Sequence, residues 1–312
     1  MSQVTAVPPD PDRRYSTLKG VGFALCGYFL FATADALTKT IVNSYSSFQI
    51  IPMQVVFASL PIVAMIVRGG GFRLPRGINL ALLGLRGLLA GLGAILGLYA
   101  FRHLPLADVY ALAFCAPLIV TVLAIPILGE RVGPRRWAAV IVGFIGILVM
   151  VRPGFQALSL GHVAALLTAF SGAGTLLIMR HLRGVETAAT MASAVMFGLL
   201  VVSLPALPFV WKTPDISHVA IVAGSGLMMG SAQFLMLRAL SMASAAAVAP
   251  MQYTMMIWAV FYGLVVFQNQ ISGWVIAGCA IVMASSLYTM HRERKLGLAQ
   301  RAATIPPTPT QT

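Results

Sequence analysis

Ten apolar runs of about twenty residues, bounded by charges or turn residues, follow one another between residues 18 and 290. About twenty helical residues is what crosses the hydrocarbon core of a bilayer. The runs lie near 18–40, 47–67, 79–101, 106–128, 134–151, 159–181, 187–210, 216–240, 243–267 and 272–290. Two pairs are thinly divided, 79–128 by Arg102, His103 and Pro105, and 216–267 by Arg238 and Ser241. Unbroken, each would run to about 45–50 residues, far beyond one crossing, so each must fold back as a hairpin. With 59 % hydrophobic and 9 % charged residues, against about 25 % charged in soluble domains, the chain lacks the polar surface to cover a globule in water. It reads as an all-α polytopic membrane protein, which excludes cytosolic enzymes, secreted disulfide scaffolds and nucleic-acid readers.

The net charge of +13 is a matter of orientation. With the N-terminus on the cytoplasmic side, Arg13, Arg14, Lys19, Arg68, Arg73, Arg76, Arg131, Arg135, Arg136, Arg180, Arg183, Arg238, Arg292, Arg294, Lys295 and Arg301 fall inside. Lys39, Arg102, Arg152 and Lys212 fall outside, and Arg86 lies within a run. Sixteen of the 21 cations on one side puts both termini in the cytoplasm under the positive-inside rule and supports the count of ten. The cations are scattered over short loops and form no stripe for nucleic acid. Residues 1–17, with Pro8, Pro9 and Pro11, read as a flexible tail with no secretory signal pattern, and 292–312 as a second, disordered tail. Cys26, Cys115 and Cys279 sit far apart in apolar runs and read as buried small hydrophobes.

An internal repeat underlies the ten runs. The stretch from Tyr99 to Pro153 and the stretch from Leu235 share an order: Arg, a small-residue entry, a helix with an early proline, a polar break and a Gly-containing run. Arg102 aligns with Arg238, Ala107 with Ala243 and, after a small gap, Glu130 with Asn269. Two halves of five runs follow, 18–152 and 159–291. Five is odd, so the second half enters the membrane upside down, and ten transmembrane helices form two inverted five-helix repeats. In such transporters the substrate site lies at the repeat interface near the midplane. Pro117 and Pro250 occupy corresponding helices, where each removes a backbone hydrogen bond and frees carbonyls.

The residues Arg86-Gly87, Tyr99-Ala100, Leu104-Pro105-Leu106-Ala107-Asp108, Ala116-Pro117-Leu118, Leu128-Gly129-Glu130-Arg131 and Arg152-Pro153-Gly154 resemble the first EamA repeat of the drug/metabolite transporter superfamily. Ser285-Ser286-Leu287-Tyr288 and His291-Arg292-Glu293 close a second, weaker copy, and Phe31 to Lys39 resembles the first span. The chain departs from the family pattern at Gln54, where members often carry Arg, and at Asn269, where they often carry Glu. The resemblance implies an inner-membrane carrier of small organic metabolites such as amino acids, nucleosides, vitamins or cofactors. It works by alternating access, with export slightly favoured, as a monomer or homodimer without a cofactor, and its partners are a small-molecule substrate and the lipid bilayer.

A charge inside a bilayer is costly and normally faces a cavity or a partner. Asp35 reads as a cavity group for a substrate ammonium or a proton, or else as a pair with Lys39 one turn on. Arg86 reads as an anchor for a substrate anion, a partner for a carboxylate, or a snorkelling cation. Asp108 reads as a helix N-terminal residue. Gln54, Tyr99, Tyr110, Gln233, Gln252, Tyr253 and Trp258 can read amide edges or stack on a planar metabolite, and Gln252 and Tyr253 follow Pro250 directly. Gly87, Gly91, Gly93 and Gly97 in the third run, and Gly226 and Gly230 in the eighth, predict two helices packed tightly beside the central path. The five histidines fall near run ends, and the sequence carries no metalloprotease, CxxC or P-loop motif. An intramembrane enzyme acting on lipid or peptide, or a non-transporting scaffold, are the alternatives.

Overall fold

A computed structural model describes residues 11–67, 75, 77–128, 134–152, 159–182, 185–243, 245–270 and 272–303. The Leu128-Gly129-Glu130-Arg131 motif falls largely outside these, as do Arg68, Arg73, Arg76 and Arg183. The helices are α1 (Pro11–Ile41), α2 (Ser47–Met65), α3 (Ile78–His103), α4 (Leu106–Ala113), α5 (Ala116–Leu128), α6 (Pro134–Val151), α7 (Leu160–His181), α8 (Ala188–Ser203), α9 (Leu207–Val210), α10 (Ile216–Met242), α11 (Ala245–Val248), α12 (Thr254–Val265) and α13 (Gly273–Ala303). Their ends carry local signals. The Ser46 side chain accepts from the Phe48 amide and Thr187 from the Thr190 amide, and Pro105 follows the extended Leu104 that closes α3. Helix extends into segments that read as tails. α1 opens at Pro11, a residue suited to a first helical position, and α13 runs to Ala303 through a stretch of good helix formers.

Among the described residues seven helices are long and apolar enough to cross a membrane. Trp137–Val151 and Gly273–Tyr288 are shorter apolar helices. The 243–267 run is divided into α11, a 3-10 stretch Ala249–Tyr253 and α12. The fourth run is also interrupted, at Phe114 and Cys115 between α4 and α5, just ahead of Pro117. Each interruption lies beside the early proline of its run, Pro117 or Pro250, where a missing amide hydrogen loosens the backbone ladder.

Packing follows the repeat without following the halves. α1 packs on α10, as α3 packs on α7; α2 packs on α10, as α3 packs on α8; α1 packs on α12, as α7 packs on α4 and α5; and α6 packs on α13. Each pairing has its counterpart between the two matched halves of the chain. Two groups result, α1, α2 and α10 with α12, and α3, α7 and α8 with α4 and α5, each drawn from both halves.

Glycines set the crossings. A Cβ on Gly87 would stand 2.5 Å from the Ala194 carbonyl, and one on Gly91 2.9 Å from the Gly198 carbonyl. In the other group a Cβ on Gly226 would stand 2.6 Å from the Gln54 carbonyl, and one on Gly230 would overlap the Ala58 backbone. The third and eighth spans are therefore tightly packed as the glycine spacing predicts, each against a span of the opposite half. Gly93 and Gly97 turn to α7 at Ser171 and Thr168. α6 and α13 cross at Gly146 and Gly278, each within 3 Å of the other's carbonyl if given a Cβ. Cys115 and Cys279 are buried, but Cys26 is exposed on the bundle surface, where an apolar side chain meets lipid tails instead of a protein core.

Candidate functional site

Two hydrogen-bonded clusters adjoin α1, one between the two groups and one within the first. In the first, the Tyr110 hydroxyl of α4 donates to Asp35 Oδ2 of α1 at 2.5 Å. Tyr110 is buried, while Asp35 is half-buried. The rings of Phe101, Tyr110, Phe114 and Tyr253 form a chain, with successive centroids 6.4, 6.5 and 5.1 Å apart. It joins the break after α4 to the 3-10 stretch before α12. Tyr253 lies against Ser286 of α13, whose buried hydroxyl is outside hydrogen-bond geometry. Nearby, Thr33 Oγ1 and the Tyr262 hydroxyl are 2.7 Å apart.

In the second cluster the Gln54 amide nitrogen donates to Thr38 Oγ1 at 2.7 Å and to Ser225 Oγ at 2.8 Å. Each hydroxyl in turn donates to its own helix, Thr38 to the Ala34 carbonyl and Ser225 to the Val222 carbonyl. Gln54 thus bolts α2 to α1 and α10. Ser225 is spent in these bonds.

The Asp35–Lys39 pair is not formed. Lys39 points past the end of α1, where its ammonium donates to the carbonyls of Phe101 and, at 2.6 Å, of Leu104 at the end of α3. Arg102 of α3 answers it, donating to the carbonyls of Val42 and, at 2.9 Å, of Tyr45 just beyond α1. Each helix end carries the cation that neutralises the other's terminal carbonyls, which no longer have intrahelical partners. At the same end the Gln49 side chain and the Lys212 backbone exchange two bonds of 2.6 and 2.9 Å. Tyr45 Oη lies 2.8 Å from His218 Nδ1, and the Lys39 ammonium sits over the Phe267 ring. Four connecting segments are thereby drawn together. At the opposite end Ser16 donates to the Met242 carbonyl and Asn79 to Glu186, each within one group.

The remaining sequence candidates divide between these clusters and the periphery. Arg86, 5 % exposed, does not snorkel. It donates across the α3–α8 crossing to the Met191 carbonyl, with its Nε unpartnered, and no carboxylate among the described residues pairs with it. Tyr99 stacks on His103, centroids 4.3 Å apart. Trp258 stacks edge-on with Phe29 at 4.7 Å. Gln233 and Gln252 are half-buried on α10 and in the 3-10 stretch, outside the Asp35 and Gln54 bonds. Pro117 and Pro250 are half-buried at the two breaks. Asp108 lies in the first turn of α4, as expected of a helix N-terminal residue. Arg238 lies over Phe234 of its own helix and does not repeat the Arg102 contact. Thr38, Ser225, Phe114 and the role of Lys39 escape a reading that looks for in-span charges, because none is both ionisable and deep.

An all-helical chain with long apolar helices, paired helix breaks and a polar cluster between two packed groups is a multi-pass membrane protein of transporter type. Residues 18–152 and 159–290 each match the EamA-like transporter family, and the chain belongs to it. The chain is 25 % identical to the S-adenosylmethionine uptake transporter of Rickettsia bellii, over 88 % of its own length and 94 % of that protein. It is 29 % identical to the riboflavin transporter of Rhizobium johnstonii, over 70 % of each. Identity to the pseudopaline exporter of Pseudomonas aeruginosa is 25 %, over 88 % of this chain and 97 % of that one. A solved crystal structure superposes with a TM-score of 0.62 at 18 % identity, covering 89 % of this chain and 98 % of its own, a likeness of fold alone.

Proposed function

We propose that the chain is a secondary transporter of a small organic metabolite in the inner membrane. In this reading ten helices in two inverted repeats alternate access to a site bounded by Asp35, Tyr110, Phe114 and Tyr253. The observation that carries it is the pair of helix breaks at Phe114–Cys115 and Ala249–Tyr253. They lie in corresponding runs and are joined by one aromatic chain, whose Tyr110 donates to the half-buried carboxylate of Asp35. Broken helices at the repeat interface are where transporters of this architecture hold their ligands. The exchange of every major helix pairing for its counterpart supports the inverted duplication.

In this reading the charge asymmetry supports a Lys39–Arg102 end on the outside and both termini in the cytoplasm. Lys39 and Arg102 tie the two groups together at that end, which supports an outwardly closed state. Arg86 then serves as a tie between α3 and α8 beside the Gly87 crossing. Relatives that import S-adenosylmethionine and that export pseudopaline support a metabolite cargo in either direction, and export is the direction favoured here.

Purified protein in liposomes loaded with a cell metabolite extract should release a defined subset of metabolites. Release no faster than from protein-free liposomes would overturn the reading. A second arm imposes a pH gradient: flux that ignores the gradient and is unchanged in Asp35→Asn removes Asp35 from proton coupling.

A further inference from the structure

The donors and acceptors around the central cluster do not balance, and the imbalance has a sign. Four of the hydroxyls there have their hydrogens committed to other acceptors. Thr38 donates to the Ala34 carbonyl, Ser225 to the Val222 carbonyl, Thr33 to the Phe29 carbonyl and Tyr110 to Asp35 Oδ2. Since Thr38 and Ser225 give their hydrogens to backbone carbonyls, both must accept from Gln54, which fixes its amide with both N–H groups toward them. Its carbonyl oxygen, Oε1, is left over, and so is the second carboxylate oxygen, Asp35 Oδ1. Neither has a hydrogen-bond partner among the described residues, and neither is among their fully occluded orphan atoms, which are Arg86 Nε and Ser286 Oγ. Both oxygens therefore keep some accessible surface deep in the bundle.

The interior cations cannot fill that gap. Lys39 is held by two carbonyls at the closed end, and Arg86 by Met191. What the site offers a ligand is a carboxylate oxygen, an amide oxygen, aromatic faces and the Tyr253 hydroxyl, and the carboxylate and the rings favour a cation that donates hydrogen bonds.

We infer that the central site takes a hydrogen-bond-donating organic cation, an ammonium or amidinium carried on a small planar or apolar body, and turns away anions. This rests on reading the cluster as the transport site. The cation bonds to Asp35 Oδ1 and Gln54 Oε1 while the body lies along Phe101, Phe114 and Tyr253.

The test compares four ligands with one ring: phenethylamine, its N,N,N-trimethyl derivative, 2-phenylethanol and 3-phenylpropionate. Binding is measured by calorimetry to the full chain in lipid nanodiscs. Phenethylamine should bind about tenfold or more tightly than the trimethyl compound and the alcohol, the loss expected for a charge-assisted hydrogen bond, with phenylpropionate weakest. In Asp35→Asn the preference should vanish. The ranking of the four ligands on the parent chain is itself a readout, so a folding defect in the variant does not decide the outcome. Equal or tighter binding of phenylpropionate, binding of none of the four, or a preference surviving in Asp35→Asn overturns the inference. Metabolite release from liposomes in the face of that result would leave the transport reading standing; absence of release would remove both.

Discussion

Replacing Lys39 by Met keeps the apolar stem and removes only the ammonium that holds the end of α3. Two carbonyls, of Phe101 and Leu104, lose their donor in the closed state. When the outer end opens, water solvates them in either variant, so the substitution penalises the closed state selectively. One charge-assisted hydrogen bond is worth about 1.5–3 kcal/mol, which shifts the closed-to-open ratio roughly 10- to 100-fold. Cys115, 1 % exposed at the α4–α5 break, reports the opening in a Cys26→Ser, Cys279→Ala background. Its labelling by a membrane-impermeant methanethiosulfonate added outside should quicken by that factor in Lys39→Met. Arg102→Met should act in the same direction. The double variant should fall short of the product of the two, because both cations close one contact. Labelling rates for both single variants within about twofold of the parent, less than any charge-assisted bond would give, would refute the clasp as an outer gate.

Gly91→Leu brings a side chain to a position where even Cβ would lie 2.8 Å from Val202 Cγ2. Overpacking of about 1–3 kcal/mol at this crossing should lower transport at matched expression, as should Gly230→Leu. Gly172→Leu, with nothing within 4 Å of its Cβ, should not, and a Gly91→Leu rate equal to wild type defeats the argument. Gln54→Leu removes two donors yet orphans no hydrogen, because Thr38 and Ser225 still donate to backbone. The expected loss of stability is therefore modest, about 1–2 kcal/mol for two net hydrogen bonds, and a thermal unfolding assay in detergent should show no collapse.

The long apolar helices and the two-repeat organisation are legible in the sequence because hydrocarbon thickness imposes a fixed run length and the second half echoes the glycines and prolines of the first. Asp35 and Tyr110 are found from residue type alone, as an in-span carboxylate and an in-span phenol, but their bond joins residues 75 positions apart and has no local signature. The Lys39 contact is missed for a similar reason. A lysine one turn from an aspartate looks like its partner, and only the three-dimensional meeting of two helix ends reveals unpaired carbonyls as stronger claimants. The glycine spacings give close approach correctly but not the partner, since a small face says that a helix is near without saying which one. Arg238 aligns with Arg102 by sequence and yet lies over its own helix, because the crossings follow the glycine register, which is offset by a few residues from the arginine match.

The exchange of partners between halves governs how the chain can be made. α1 and α2 leave the ribosome first, but both find their main partner in α10, Ile216–Met242. Until more than two-thirds of the polypeptide has been inserted, the carbonyls of Gln54 and Ala58 that will meet Gly226 and Gly230 face lipid, and Gln54 lacks Ser225. The N-terminal half is thus a lodger in the bilayer, threaded but unassembled. The fold closes late, when the eighth span arrives to draw the earliest helices out of the lipid and into the protein.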